Sequence, residues 1–376
     1  MNYNCGTMQR REFLSLSTRA LLALPVLSFT GKAAQSSASG SDRAWAKLLD
    51  DLESLLRREM HEKIVPGLSG AVVTNAKIVW QDGLGFKDSS AKTPVDADTI
   101  FEAASMSKPV FAYAAMKLCE RGVMDLDKPL THYTSQRFLE GDPRLDLITA
   151  RHVLSHTTGF QNWRSKDDPL KIHFTPGTKF MYSGEGYNYL QSVMEHVTGQ
   201  PVQEYMKSNL FEPFGMTSSG YVWNEMFERR MARPHDMQGK PMNNKKSMAS
   251  DVARYGSSGA LLTTPTDYAK FILEILKPKK QDEYRLSQRS IAEMLRPRIK
   301  ASDKYPVWWA LGWRIFRTDK GDLVNHGGDN EGFHCFAGMT LARKNALVLM
   351  TNGEGGAHLL SDELLRSDPI NQILWS

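Results

Sequence analysis

Stretches with strand character lie at the two ends of this chain and are missing from its middle. Near the start, residues 68–74 and 78–86 are β-rich and meet at Asn75-Ala76-Lys77, which predicts a hairpin. Near the end, residues 310–317, 323–326, 331–340 and 346–351 read as strands. From about 121 to 250 the chain is mainly helix and loop; residues 184–198 form one helix, stopped by Gly199, and 201–211 form another. A lone hairpin is at best marginally stable. Strands from distant parts of the chain would join one antiparallel sheet, with helices packed on it and a mainly helical region inserted, which is an α+β fold.

Other helices follow from spacing and caps. Trp45, Leu48, Leu49, Leu52, Leu55 and Leu56 lie on one face of a helix over 42–62, ended by Pro66-Gly67. Residues 105–121 are helical up to Gly122. Thr264 caps a helix with Pro265 in its first position, Asp267 caps backwards, and the helix runs through 268–276. A last helix covers 359–373.

The first 40 residues read as an address. Arg10-Arg11 precede Phe13-Leu14, an apolar stretch from Ala20 to Phe29 follows, and small residues run from Ala33 to Ala38. That layout is a signal peptide, and the paired arginines resemble a twin-arginine signal for export of folded proteins. A periplasmic or secreted location follows, with export machinery as a partner and Ser36-Ser37-Ala38 as one cleavage candidate. The catalytic domain is then 41–376, with a sheet region at about 41–120 and 250–376 and a helical region at about 121–250. The formal charge of +5 falls to about +2 without the first 38 residues, and no basic run carries interleaved aromatics, so nucleic-acid binding is not indicated. Cys5 falls in the leader, leaving Cys119 and Cys335 among apolar neighbours, so there is no disulfide framework.

Ser105-Met106-Ser107-Lys108 is an S-x-x-K motif at a helix start. Residues three apart share a helical face, so the Lys108 amine can reach the Ser105 hydroxyl. Serine needs a base to become a nucleophile, and a desolvated lysine is one. Pro109 fits the first turn, which puts Ser105 at the positive end of the helix dipole. By itself the motif also fits an ordinary serine-capped helix.

Two further segments add to it. Tyr182-Ser183-Gly184 follows the turn Thr175-Pro176-Gly177-Thr178, and His326-Gly327-Gly328 ends a strand and leads to Asp329. In order and separation the three segments resemble the motifs of the serine β-lactamase and penicillin-binding protein superfamily, most closely the class C β-lactamase-like branch, which includes DD-peptidases and esterases. Residues 151–160, 210–216, 258–267 and 349–353 also resemble segments of that branch, and the similarity spans about 45–355. The resemblance implies Ser105 as the acylated serine, Lys108 as its proton partner and Tyr182 as general base, with nearby cations favouring a tyrosinate. It implies an oxyanion hole from the backbone N–H groups of Ser105 and Asp329, with Gly327 and Gly328 letting substrate approach. His326 stands where many members carry a lysine; it can donate a hydrogen bond and lose its charge near neutral pH. Gly184 stands where the family carries an asparagine whose amide contacts substrate.

The expected activity is hydrolysis of a small ester, amide or peptide through an acyl-enzyme, with an esterase leaning because the asparagine and lysine are replaced. A β-lactamase or D-amino-acid-specific peptidase is the alternative, and a non-catalytic ligand-binding relative another. No cofactor or metal motif is present. His152 and His156 are four apart but lack the glutamate of a zinc helix, so they read as structural.

Overall fold

A computed structural model describes residues 40–280 and 282–376. The leader assigned to residues 1–40 thus lies, but for Gly40, outside the described residues.

The strands, in chain order, are β1 (Gly67–Thr74), β2 (Lys77–Asp88), β3 (Thr93–Pro94), β4 (Phe101–Glu102), β5 (Leu262–Thr263), β6 (Ile299–Lys300), β7 (Val307–Trp309), β8 (Arg314–Thr318), β9 (Gly321–Asn330), β10 (Phe333–Thr340) and β11 (Asn345–Thr351). Nine of them form one antiparallel sheet in the order β3-β2-β1-β11-β10-β9-β8-β7-β6, and β4 pairs with β5 apart from it. The union of chain ends is direct: β1 lies against β11, with Leu68 opposite Thr351 and Val72 opposite Leu347. The β1–β2 turn uses Asn75 and Ala76, both left-handed, with φ of 48° and 53°. Two successive left-handed residues give the turn whose twist matches a two-residue hairpin.

Every residue of β1 and β11 is buried, because both faces of the sheet are covered. Side chains alternate between faces. Leu68, Val72, Leu347 and Leu349 pack with Leu52 and Leu56 of helix α1 (Gly40–Glu62) and with Ile370 and Ile373 near the C-terminus. Ala71, Val73, Val348 and Met350 face the larger core, which holds helix α2 (Ser107–Glu120) and the inserted helical region.

Some elements depart from the sequence expectation. The strand expected over 310–317 begins only at Arg314, as β8; residues 310–313 are the turn from β7, in which Gly312 has φ of 85° and passes so close to α2 that a Cβ would meet Ala112 at 2.5 Å. The last helix is three short ones, Gly356–Leu359, Asp362–Leu365 and Asp368–Trp375; Pro369 in the first turn of the third lacks the N–H that would continue an earlier helix. Thr264 does cap the helix Pro265–Leu276, accepting from the Asp267 N–H at 3.1 Å. Asp267 does not cap backwards: its carboxylate accepts from the Ser218 N–H at 2.7 Å and pairs with Lys270, tying this helix to the 216–220 loop.

Candidate active site

The turn that carries Ser105 is strained and pinned. Strand β4 leads into a short 3₁₀ turn, Ala104–Met106, before α2 begins at Ser107. Ala104 has φ of 46°, a left-handed conformation that costs a non-glycine residue ~1–3 kcal/mol. Buried bonds offset it. The Ser107 hydroxyl donates to the Ala104 carbonyl at 2.6 Å and accepts from the Leu261 N–H at 3.0 Å. The Tyr268 hydroxyl donates to the Met106 carbonyl at 3.0 Å. Ser107 is thus committed to the turn. Ser183 is likewise committed as a helix cap, accepting from the Gly186 N–H at 3.0 Å. Ser105 is the serine of this group that lines a pocket of about 420 Å³ together with Tyr182, Trp163, Arg314 and His326.

Lys108 lies beneath it, fully buried. Its amine donates to the Ser105 hydroxyl oxygen at 3.1 Å and to the Ser258 carbonyl at 2.6 Å. Burial disfavours the ammonium and brings its pKa down to about 7. A neutral lysine, ready to accept a proton, is therefore well populated in weakly basic solution.

Tyr182 shares this centre, its hydroxyl hydrogen-bonded to Ser105. The Lys108 amine lies 4.9 Å from its ring centre. His156 grips the tyrosine segment in three ways. Its ring stacks on that of Tyr182 at 4.2 Å, its Nδ1 accepts from the Ser183 N–H at 3.0 Å, and its carbonyl accepts from the Met181 N–H at 2.8 Å. The His152–His156 spacing is structural: His152 completes a capping box with Thr149 on the helix Ala150–Leu154. Burial pushes the Tyr182 phenol well above its ordinary range, and the Ser105 bond and Arg314 charge do not reverse that. Burial thus weighs against the tyrosinate, and Arg314 is the cation that opposes it.

Strand β9 forms the opposite wall. Its pairing with β8 ends at Arg314–Asn325, so from His326 onward one edge is open toward the nucleophile turn. Asn330 and Phe333 close a two-residue hairpin with β10. Such a turn closes on a hydrogen-bonded pair, and alternation then directs the backbone groups of Asp329 and Gly327 to the open edge. Gly328 serves a different end from that expected. A Cβ there would meet the Ala103 carbonyl oxygen at 2.2 Å, so this glycine admits the protein's own nucleophile turn, whereas at Gly327 the nearest atom would be 3.6 Å away. The Asp329 side chain points outward and bonds His334 at 2.8 Å.

His326 also departs from expectation. Its Nδ1 hydrogen-bonds to the Gly327 carbonyl at 2.6 Å, which requires the proton on Nδ1 and leaves Nε2 as an acceptor with no partner among the described residues. Burial, aided by the Lys108 charge, brings its pKa down to about 3. The ring is neutral far below neutral pH, and the hydrogen bond it donates goes to its own strand. Arg314 of β8 supplies a cation to the pocket instead, with its Nε donating to Asn325 at 2.6 Å.

Gly184 opens helix Gly184–Thr198, and what lies against it was not foreseen. A Cβ at 184 would meet the indole of Trp163 at 2.4 Å. The space of the family's asparagine side chain is taken by an aromatic wall. Asn162, next to it, accepts from the Gly184 N–H at 2.8 Å and brings a carboxamide to the same pocket. Trp163, Asn162 and Arg314 escaped the motif reading because loop and strand positions carry no fixed spacing to Ser105, and His156, read there as structural, holds the tyrosine segment. Gly184→Asn is expected to fall at least about tenfold in kcat/KM for small esters, since either Trp163 or the helix start must shift and small misplacements at a reacting centre are costly. Steady-state kinetics beside a melting curve check this; a variant with native rates would show that Trp163 moves freely.

The family model described as Beta-lactamase matches residues 52–367. The chain belongs to the β-lactamase family. The esterase EstB of Burkholderia gladioli is 28% identical over 229 residues, covering 52% of this chain and 57% of that protein. The chain thus matches little more than half the length of this curated relative. Among solved structures, the octameric penicillin-binding protein homologue from Pyrococcus abyssi superposes with a TM-score of 0.73 at 22% identity, covering 87% of this chain and 79% of that one. A class C β-lactamase gives 0.73 at 18% identity, covering 86% and 96%. These two likenesses establish the β-lactamase/transpeptidase-like fold.

Proposed function

We propose that the protein is a serine hydrolase that cleaves small esters through an acyl-enzyme on Ser105. The observation that carries this reading is the 3.1 Å contact between the Lys108 amine and the Ser105 hydroxyl, at the base of an open pocket. Neutral Lys108 accepts the hydroxyl proton as Ser105 Oγ attacks the carbonyl carbon. The backbone N–H groups of Ser105 and Asp329 hold the developing oxyanion, the role that preorganised donors play in acyl transfer. Tyr182, protonated at rest and bonded to Ser105, passes a proton to the leaving oxygen as its bond to the acyl carbon breaks. Water then attacks the acyl-enzyme; its proton returns through the same pair, and Ser105 is released with the acid. The likeness to EstB agrees with an ester substrate.

A second reading, a peptidase or β-lactamase, draws support from Arg314. Its guanidinium restores to the pocket a cation that could meet a substrate carboxylate. A turnover panel decides between them: short p-nitrophenyl esters, a cephalosporin and a peptide ending in D-alanine, each by kcat/KM. The ester reading expects the esters to lead by about tenfold or more, because nothing at position 184 contacts an acylamino group. Cephalosporin or peptide turnover above that of the esters would overturn it. A non-catalytic relative would turn over none of the three.

A further inference from the structure

A second cavity, also of about 420 Å³, adjoins the nucleophile pocket. The two share Trp163, Gly259 and Asn330 as lining, so Trp163 stands as a partition between them. The second cavity carries charge of both signs, but not in equivalent states. Arg164 is bound to Glu185 at 2.7 Å, Lys246 to Glu228 at 2.6 Å, and Lys245 is paired with Glu331. Asp251, at the exposed rim, accepts from the Met248 N–H at 3.0 Å. Glu102 is different. It is part-buried, and its carboxylate accepts one hydrogen bond, from the Asn330 amide at 2.6 Å. A carboxylate offers about four acceptor positions. Burial pushes the Glu102 carboxyl above its ordinary range, and Lys245, already committed to Glu331, offsets this only in part. The lining thus includes an acidic group short of donors, along with the rings of Trp163 and Tyr255.

Resting on the hydrolase reading above, we propose that the acyl part of the substrate runs from Ser105 past Trp163 into this second cavity and carries an amino group whose ammonium meets Glu102. An ammonium supplies both the donors and the charge that the carboxylate lacks, and charge-assisted bonds of this kind are the strong ones. The aromatic walls suit a cation in transit, since ring faces attract positive charge. Glu102 lies three residues before Ser105 on the strand that feeds the nucleophile turn, so the acyl carbon and the counter-charge are held by one short, pinned segment.

The test compares two activated esters of nearly equal shape, p-nitrophenyl 4-(aminomethyl)phenylacetate and p-nitrophenyl 4-ethylphenylacetate, neither of which can cyclise. The native protein is expected to prefer the amino ester by about tenfold in kcat/KM, the worth of one hydrogen bond to a charged group. In Glu102→Gln that ratio is expected to fall toward one, with the neutral ester as internal reference and circular dichroism reporting the fold. A ratio near one in the native protein overturns the proposal and needs no variant. So does a preference that survives in Glu102→Gln. Acyl adducts are followed by intact mass in the same reactions: equal turnover of both esters through Ser105 overturns this inference alone, whereas no adduct on Ser105 from either ester overturns the hydrolase reading with it.

Discussion

Ser105→Ala is expected to lose on the order of 10⁴–10⁶-fold in kcat, the cost of deleting the nucleophile from a serine hydrolase. The fold should tolerate the change. Ser105 holds neither the Ala104 carbonyl nor a helix end; Ser107 and Ser183 do that. The removed hydroxyl leaves Lys108 its bond to the Ser258 carbonyl at 2.6 Å, so no buried amine is orphaned. The checks are p-nitrophenyl ester turnover beside a thermal melt. Retention of more than about a hundredth of the native rate by a clean preparation would mean that another group attacks. The matching change at Ser107 should act through stability instead, since its hydroxyl has both a donor and an acceptor partner in the core.

The second large effect is expected from Lys108→Met, which keeps much of the length of the side chain and removes the base. The fall in kcat/KM should be on the order of 10⁴-fold. The pH profile carries the sign. With the native pKa near 7, the neutral, competent lysine is lost as pH falls, so kcat/KM should rise through about pH 7 and level off above it. That acid limb should be absent from the residual activity of the variant. Stability has the same sign in pH, over a higher range. The unfolded chain holds this proton up to about pH 10.5 and the folded chain only to about 7, so the native lysine costs stability increasingly as pH falls between those values. Removing it lifts that cost while leaving the Ser258 carbonyl without its donor. The variant is therefore expected to melt no lower than the native protein at pH 7. A large drop in melting temperature would show that the buried amine is mainly a structural bond.

What could be read from sequence was what local chemistry decides. Strands at the two ends of the chain point to one shared sheet, and β1 does lie against β11. The Thr264 cap and the Gly199 stop were legible because caps depend on a few neighbouring residues. The S-x-x-K spacing placed Lys108 beside Ser105 because residues three apart on a helical turn share a face. Side chains delivered by tertiary contact stayed hidden. Trp163 and Arg314 reach the pocket from a loop and from a strand, and nothing in their spacing points to Ser105. Gly184 read as the loss of a contacting group, yet in the fold it is an exchange, with the Trp163 ring in the vacated space. Gly328 read as a concession to substrate, and it is a concession to the protein's own backbone. The charge states of Tyr182 and His326 depended on burial, which motifs do not report.

Hydrolysis through an acyl-enzyme requires a covalent bond to one serine. The direct test is to quench the native protein during turnover of a p-nitrophenyl ester, digest it and locate the acyl group by tandem mass spectrometry. The adduct is expected on Ser105, within the peptide that also holds Lys108, and on no other residue. An acyl group on Ser107 or Ser183, or full turnover with no adduct at any time point under acid quench, would contradict it.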